Sequence, residues 1–277
     1  MNSINLPPFP NVEQVVAGFA FALAIAAGSL ALRMLTLKGA GAQFFLGWLL
    51  FALGAWQWTV PILVFFLTAS ALTKYALRTR GGEERTIASH DIRNARQVLA
   101  NGGMAGLLAV LWYCTGSELL YMAYLGGVAS VAADTWGTEI GITSRSAPRL
   151  ITTWNSVDPG RSGAISLRGM TAGAIGSAVV SASSIPWLAG ETVGIALTSL
   201  VLGGTVGSVV DSYLGAAVQA QHVCSCCGRV TDQVNHCGHP TRRFRGASWI
   251  GNDLVNLACS LTGSAAAVVL FLLFSTQ

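Results

Sequence analysis

Long runs of apolar residues dominate this sequence and predict membrane-spanning helices. Eight runs lie at about 14–36, 40–55, 57–76, 103–116, 118–135, 167–188, 191–213 and 250–274. Most approach the roughly 20 residues that a helix needs to cross a bilayer. No Lys or Arg precedes the first run, so it is interpreted as a retained span rather than a signal peptide. The pattern predicts an all-α integral membrane protein of about eight transmembrane helices, with one membrane domain over residues 1–277.

The composition agrees with a membrane protein. Only 10% of the residues are charged and 52% are hydrophobic, whereas about 25% are charged in an average soluble domain. These values exclude a water-soluble globular enzyme and an intrinsically disordered chain. The net charge of +4 is small and spread along the chain, which gives no indication of nucleic-acid binding.

The basic residues predict the orientation in the membrane. All sixteen Lys and Arg residues fall at one end of the predicted helices, and cytoplasmic loops carry the excess of these residues. We therefore expect both termini on the non-cytoplasmic side and cytoplasmic loops at about 77–102, 136–166 and 214–249. Among charged residues, the opposite side receives only Glu13, Glu118 and Glu191.

Three aspartates that are far apart in the sequence are predicted to meet at the cytoplasmic face. Asp134, Asp211 and Asp253 lie at the cytoplasmic ends of the fifth, seventh and eighth predicted spans. An ionisable residue at this depth is costly and is therefore a functional candidate. Mg²⁺ binds a few carboxylates and leaves its other positions to water and phosphate oxygens. We predict that these aspartates and Glu139 bind Mg²⁺; the alternative for each residue alone is a helix cap.

Polar residues near this acidic cluster are candidates for binding phosphate. The loop from Pro159 to Ser166 consists of small residues and runs into a helix, so backbone N–H groups and the helix N-terminus can hold an anion. The alternatives are an ordinary Pro-Gly turn for this loop and lipid headgroup contact for the arginines before the fourth span. The candidate substrate- and nucleotide-binding residues are Arg93, Asn101, Arg149, Pro159, Gly160, Arg161, Ser162, Gly163, Ser166, Asn252 and Asn256.

The last predicted cytoplasmic loop contains a cluster of cysteine and histidine residues. A Cys-x-x-Cys motif is followed after eight residues by His-Cys-x-His. These ligand types are typical of a small structural zinc site, and thiols stay reduced in the cytoplasm. The alternative is a flexible loop with free thiols. Five candidate ligands compete for four positions around the ion: Cys224, Cys227, His236, Cys237 and His239.

Several of these motifs, taken in order, resemble a family of polytopic membrane enzymes that includes the plant phytyl-phosphate kinase. The family is more distantly similar to phytol and dolichol kinases and to CDP-diacylglycerol synthase. The matching segments cover most of the chain from residue 90 onward: Arg93–Gly103, Ala133–Gly141, Pro159–Ser166, Gly207–Gln219 and Gly251–Asn256.

The resemblance implies that a Mg²⁺-assisted kinase transfers the γ-phosphate of CTP to a prenyl monophosphate such as phytyl phosphate. It implies a catalytic site formed by the acidic helix ends, which faces the cytoplasm from a plasma or thylakoid-type membrane. Two alternatives stay open. A transporter would use the acidic and Asn residues as an ion pathway, although transporters usually have internal repeats, and none is clear here. A lipid cytidylyltransferase would retain the same site and release pyrophosphate.

Overall fold

The computed structural model describes residues 10–79, 92–144, 146–188, 190 and 192–276. Four charged residues used to predict the orientation, Arg80, Arg85, Arg145 and Glu191, lie outside the described residues. The described chain is mostly helical, as predicted. Its helices are α1 (Val12–Ala31), α2 (Leu37–Thr79), α3 (Ala95–Thr115), α4 (Glu118–Gly141), α5 (Leu167–Ala182), α6 (Val193–Ala217) and α7 (Asn252–Ser275).

Five of the described helices are long and apolar enough to cross a membrane: α1, α2, α3, α6 and α7. Helix α4 lies inside the bundle, since every residue from Tyr121 to Ala133 is buried. Neighbouring helices shield it from lipid, so it can carry small and polar residues. These features agree with an integral membrane protein. The count of eight spans and the sides of the termini stay predictions.

Helix α2 folds back on itself at the break predicted near residues 54–58. Its 43 residues would form a straight helix of about 65 Å, twice the roughly 30 Å of a bilayer core. Ala55 has a non-helical backbone (φ 48°, ψ −141°). Beyond it, the second arm returns along the first, as shown by Phe66, which packs against the cluster of Ala26, Leu35 and Ala40. The chain therefore enters and leaves this region at the same end of the bundle.

Small residues allow α4, α6 and α7 to approach closely. A Cβ atom added at Gly207 would lie 2.5 Å from the Cβ atom of Ser130 and 2.8 Å from the carbonyl oxygen of Cys259. Any side chain at this position would therefore push the helices apart. Close backbone approach through Gly, Ala and Ser is a common basis of helix packing in lipid, and it brings the ends of these three helices together.

Two loops contain short β-strands that the all-α prediction missed. Strands of two to four residues are too short to produce a recognisable alternation of hydrophobic and polar positions. In the α4–α5 loop, β1 (Arg149–Leu150) pairs with β2 (Ala164–Ile165). In the α6–α7 loop, β3 (Gln221–Val223) pairs with β4 (Val230–Thr231) and β7 (Arg242–Arg245), and β5 (Asn235–His236) pairs with β6 (His239–Pro240); all pairs are antiparallel.

Candidate functional site

A polar pocket of about 350 Å³ lies where the ends of α3, α4, α6 and α7 meet the N-terminal turns of α5 and the α4–α5 loop. This volume is within the range of about 300–1,000 Å³ that is typical of small-molecule sites. Most of the predicted site residues line it, although they come from distant segments: Arg93, Asn101, Asp134, Glu139, Pro159, Gly160, Arg161, Ser162, Gly163, Ser166, Asp211, Asn252 and Asn256.

Two carboxylates meet inside the pocket. Asp134 on α4 and Asp211 on α6 interact directly with each other. Asp211 Oδ2 is buried and has no hydrogen-bond partner among the described residues, and the same is true of Asn101 Oδ1. Two adjacent carboxylates repel each other unless a proton or a cation lies between them. These oxygens fit the ligand set of a hard cation such as Mg²⁺.

Backbone atoms form one wall of the pocket. A Cβ atom added at Gly173 would lie 2.8 Å from the carbonyl oxygen of Ala133, and one at Gly137 would lie 3.2 Å from the carbonyl oxygen of Gly169. Helices α4 and α5 therefore touch through their main chains within one turn of Asp134. This close contact brings Gly137, Gly169 and Gly173 to the wall of the pocket, next to the carboxylate pair.

The loop that precedes α5 presents hydrogen-bond donors to the same pocket. Ser166 caps α5 by accepting a hydrogen bond of 3.1 Å from the backbone N–H of Gly169. Gly160 and Gly163 have positive φ angles of 85° and 80°, which glycine adopts at little cost. Arg161 Nε is buried and has no acceptor among the described residues. With the positive end of the α5 dipole, this loop is suited to an anion.

Glu139 lies at the edge of the pocket in a chain of hydrogen bonds. The Thr73 hydroxyl donates to Glu139 Oε1 at 2.7 Å, and Arg93 Nη2 lies 3.4 Å from the Thr73 oxygen, to which it donates. Glu139 is therefore linked to Arg93 through Thr73, and its role as a metal ligand stays a prediction.

Two predicted site residues lie outside the pocket. Arg149 is exposed on β1 and donates to the carbonyl oxygen of Trp154 at 2.9 Å, while the neighbouring Leu150 is buried. Side chains alternate between the two faces of a strand, so only one of this pair can face inward. Asp253 is rotated by about 100° from Asn252 around α7. Asn252 and Asn256 line the pocket, and Asp253 does not.

An apolar cavity of about 90 Å³ adjoins the polar pocket. It lies between α1, α2 and α3, and its walls include Phe21, Ile25, Leu46, Leu50, Ile62 and Phe66. Arg93, Gln97 and Asn101 line both spaces. A ligand with a charged head and a hydrocarbon tail could therefore occupy both spaces at once.

The α6–α7 loop gathers four of the five predicted zinc ligands. The ligand atoms of Cys224, Cys227, His236 and Cys237 all lie within 4.8 Å of one another. His239 is exposed and outside this cluster. The backbone N–H of Cys227 and the His236 side chain lower the pKa of the Cys224 thiol to about 6.

Comparison with known proteins identifies the family. The chain matches the profile of the integral membrane protein family DUF92 over residues 20–264. It belongs to this family. The match confirms the family resemblance drawn from the motifs and extends it towards the N-terminus, where only hydropathy could be compared.

Relatives of this DUF92 protein occur in a plant and in an archaeon. It is 31% identical to Protein PGR of Arabidopsis thaliana over 86% of this chain and 91% of the relative. It is 27% identical to an uncharacterized membrane protein of Methanocaldococcus jannaschii over 69% of this chain and 77% of that protein. It is 23% identical to the chloroplastic Protein VTE6 of Arabidopsis thaliana over 85% of this chain and 65% of that protein. No solved structure matches.

Some residues of the candidate site were missed by sequence reasoning. Gln97 lines the pocket, and its spacing of four from Asn101 could have indicated a shared helix face. Asp232 also lines the pocket, but it follows a two-residue strand that left no signal. Gln219 Oε1 accepts a hydrogen bond of 2.7 Å from the Ser162 hydroxyl, and Gln221 Nε2 donates to the Ser162 carbonyl oxygen at 3.4 Å. These two glutamines connect the α6–α7 loop to the candidate anion loop.

Proposed function

We propose that this protein is a CTP-dependent kinase that phosphorylates a prenyl monophosphate, such as phytyl phosphate, to the diphosphate at the cytoplasmic face of a membrane. The observation that carries the proposal is the junction of the polar pocket and the apolar cavity at Arg93, Gln97 and Asn101. This junction suits a substrate that has a phosphate head and a hydrocarbon tail. Membership of the DUF92 family, with its resemblance to phytyl-phosphate kinase, supports the same substrate class.

The proposed reaction needs positioning and charge neutralisation rather than a strong base. An oxygen of the acceptor phosphate attacks the γ-phosphorus of CTP, a new P–O bond forms, and the bond to the β–γ bridging oxygen breaks to release CDP. A phosphate monoester has a second pKa of about 6, so the acceptor is largely deprotonated at pH 7. The carboxylates in the pocket are thus available to bind a metal.

The buried acceptor oxygens provide the metal side of the proposed site. Asp134, Asp211 and Asn101 would hold Mg²⁺, because Asp211 Oδ2 and Asn101 Oδ1 lack partners among the described residues. Mg²⁺ bound there would neutralise charge on the nucleotide phosphates. The two aspartates belong to helices that are locked together by close backbone contact, so their separation varies little.

The buried donors provide the phosphate side. Arg161 would donate to a nucleotide phosphate from its Nε, which has no acceptor among the described residues, and the N-terminus of α5 would add its partial positive charge. Arg93 lies between the two spaces, where the acceptor phosphate would join its tail. The hydrogen bonds through Thr73 to Glu139 orient this arginine.

The apolar cavity would hold the part of the tail next to the phosphate. Its volume of about 90 Å³ is far below that of a pocket for a complete small molecule. A long prenyl chain must therefore leave the cavity between the helices and continue into the lipid. Discrimination among acceptors would accordingly depend on the first part of the tail.

The test is an assay of purified protein with Mg²⁺, CTP labelled at the γ-phosphate, and a series of prenyl monophosphates. A labelled lipid diphosphate together with CDP supports the proposal. A CMP-lipid and pyrophosphate would instead identify a lipid cytidylyltransferase. If no prenyl phosphate accepts phosphate from CTP, the kinase proposal is wrong and the transporter hypothesis becomes the leading one.

A further inference from the structure

The α6–α7 loop contains a four-residue cluster that the proposed kinase reaction does not use. His236 Nδ1 lies 3.5 Å from Cys227 Sγ and 3.3 Å from Cys237 Sγ. All four ligand atoms, including Cys224 Sγ, are within 4.8 Å of one another. In a tetrahedral zinc site with Zn–S of about 2.3 Å and Zn–N of about 2.0–2.1 Å, neighbouring ligands are separated by roughly 3.5–3.8 Å. The two separations from His236 Nδ1 are close to these values, and the bound of 4.8 Å on the other pairs requires only a small contraction around the ion.

The first pair of ligands comes from a tight turn directly after β3. The backbone N–H of Gly228 donates to the carbonyl oxygen of Cys224 at 2.9 Å, and the N–H of Cys224 donates to that of Arg229 at 3.0 Å. Gly228 has a φ of 72°. This arrangement turns the chain so that Cys224 and Cys227 face the same point.

The second pair comes from the β5–β6 hairpin. Its two central residues, Cys237 and Gly238, both have positive φ angles, of 53° and 75°, as a type I′ turn requires. A positive φ is uncommon for a residue other than glycine and costs free energy. Placing cysteine at this position brings its Sγ next to His236, so a ligand bond can offset the cost.

The chemistry of the four side chains selects the metal. Three thiols and one imidazole in tetrahedral array are typical of structural zinc, whereas Mg²⁺ prefers oxygen ligands. Cys224 and His236 are only 1% and 8% exposed, so two of the ligands form part of the loop's interior. All six cysteines lack disulfide partners, which leaves the three thiols available.

Residues near the cluster in sequence contact or form the lining of the polar pocket. Gln221, three residues before Cys224, donates to the carbonyl oxygen of Ser162 at 3.4 Å, and Ser162 lines the pocket. Asp232, which lies between the two ligand pairs in the sequence, lines the pocket. We propose that Cys224, Cys227, His236 and Cys237 bind one structural zinc ion that fixes the α6–α7 loop over this pocket.

Metal content and ligand geometry test the proposal independently of any enzymatic activity. Full-length protein purified through a tag without histidines should contain about one zinc per chain, measured by mass spectrometry. X-ray absorption of this protein should give three sulfur ligands at about 2.3 Å and one nitrogen at about 2.0–2.1 Å. Protein that contains no zinc, or zinc with mainly oxygen ligands, would overturn it.

Matched variants separate the four ligands from their neighbours. Cys237→Ser should lose most of its zinc, whereas His236→Cys should retain it with four sulfur ligands even if other ligand variants fail to fold. Cys226→Ser and His239→Gln alter exposed residues of the same loop outside the cluster, so they should keep wild-type zinc. Equal loss of zinc in these two controls would refute the assignment.

The structural role has its own readout. Removing zinc with a chelator should increase proteolytic cleavage between α6 and α7 while the helices stay resistant. Re-addition of zinc should restore the original cleavage pattern. Unchanged cleavage after complete removal of zinc would show that the ion does not fix this loop.

Discussion

Replacing Asp134 by asparagine tests the carboxylate pair most directly. The two side chains have nearly the same size, and asparagine retains one carbonyl oxygen, so packing in the buried pocket is preserved. Only the charge next to Asp211 is removed. Asp253→Asn is a matched control, because it makes the same chemical change at the end of a neighbouring helix but outside the pocket. Asp211→Asn should reproduce the effect of Asp134→Asn.

The expected magnitude follows from the charge that is lost. Two unit charges about 4 Å apart interact by about 4 kcal/mol at an effective dielectric constant of 20. The amide oxygen and entering water recover part of this energy, so we take the loss of transition-state stabilisation as about 3 kcal/mol. This corresponds to a fall in turnover of roughly a hundredfold or more. The effects of the two single substitutions on turnover should not be additive in the double variant, since both substitutions remove parts of one site.

Two measurements check this expectation. The rate of CDP formation at saturating CTP and prenyl phosphate, titrated with Mg²⁺, should be low for Asp134→Asn and normal for Asp253→Asn. Thermal unfolding without divalent cations should give an Asp134→Asn midpoint no lower than that of wild type, because repulsion between like charges is relieved. Mg²⁺ should then raise the wild-type midpoint more than that of the variant.

The outcomes separate a metal site from a structural carboxylate pair. If Asp134→Asn and Asp211→Asn both turn over as fast as wild type, the pair does not bind the catalytic metal. A large loss of thermal stability in Asp134→Asn without Mg²⁺ would indicate instead that the carboxylate supports the fold. An equal loss of turnover in Asp253→Asn would show that the effect is not specific to the pocket.

Three further variants test other parts of the site. Arg161→Gln should lower kcat/KM for CTP by about tenfold to a hundredfold, since a hydrogen bond to a charged group contributes roughly 1.5–3 kcal/mol. Arg149→Gln, which lies outside the pocket, should change kcat/KM little in the same assay. Gly47→Leu fills the apolar cavity and should raise KM for prenyl phosphates but not for CTP, while Gly41→Leu, outside that cavity, should leave both values unchanged. A cysteine replacing exposed Ser156 should react with a membrane-impermeant maleimide only from the cytoplasmic side, and labelling from the opposite side would reverse the predicted orientation.

Hydropathy located the helices well but misplaced several of their ends. The last helix, predicted at about 250–274, is Asn252–Ser275. The fifth predicted segment ends near residue 135, yet α4 continues to Gly141. Hydropathy reports contact with lipid or apolar neighbours, and the last turns of α4 face the polar pocket instead. The sixth predicted segment extends to residue 188, but α5 ends at Ala182 and a short 3₁₀ turn over Ile185–Trp187 follows.

The convergence of distant polar residues was predictable because topology constrains it. Once the basic residues define one end of the bundle, Asp134, Asp211 and Asn256 must all lie near that end. The direction of the Arg149 and Asp253 side chains, towards the pocket or away from it, was not predictable. A rotation of about 100° between neighbouring helical residues, or the alternation of a strand, decides whether a side chain reaches the pocket.

The cysteine and histidine residues show a similar division. Their types and clustering indicated a metal site, but the sequence alone could not choose four of the five candidates. The choice depends on the positive φ angles at Cys237 and Gly238, which arise from a hairpin of two-residue strands. Such short strands are stabilised by tertiary contacts rather than by local propensity. The sequence therefore could not predict the hairpin or the position of Asp232 beside the pocket.

Glycine has a part in both the fold and the proposed chemistry of this protein. At Gly137, Gly169 and Gly173 the absence of side chains lets α4 and α5 touch, and the same three residues line the pocket. A wall made of helix backbone cannot rearrange by changing rotamers. Charged groups that are held in a fixed geometry stabilise a transition state without reorganising during the reaction. The close helix packing that suits a lipid environment would therefore also hold Asp134 in place for the proposed reaction.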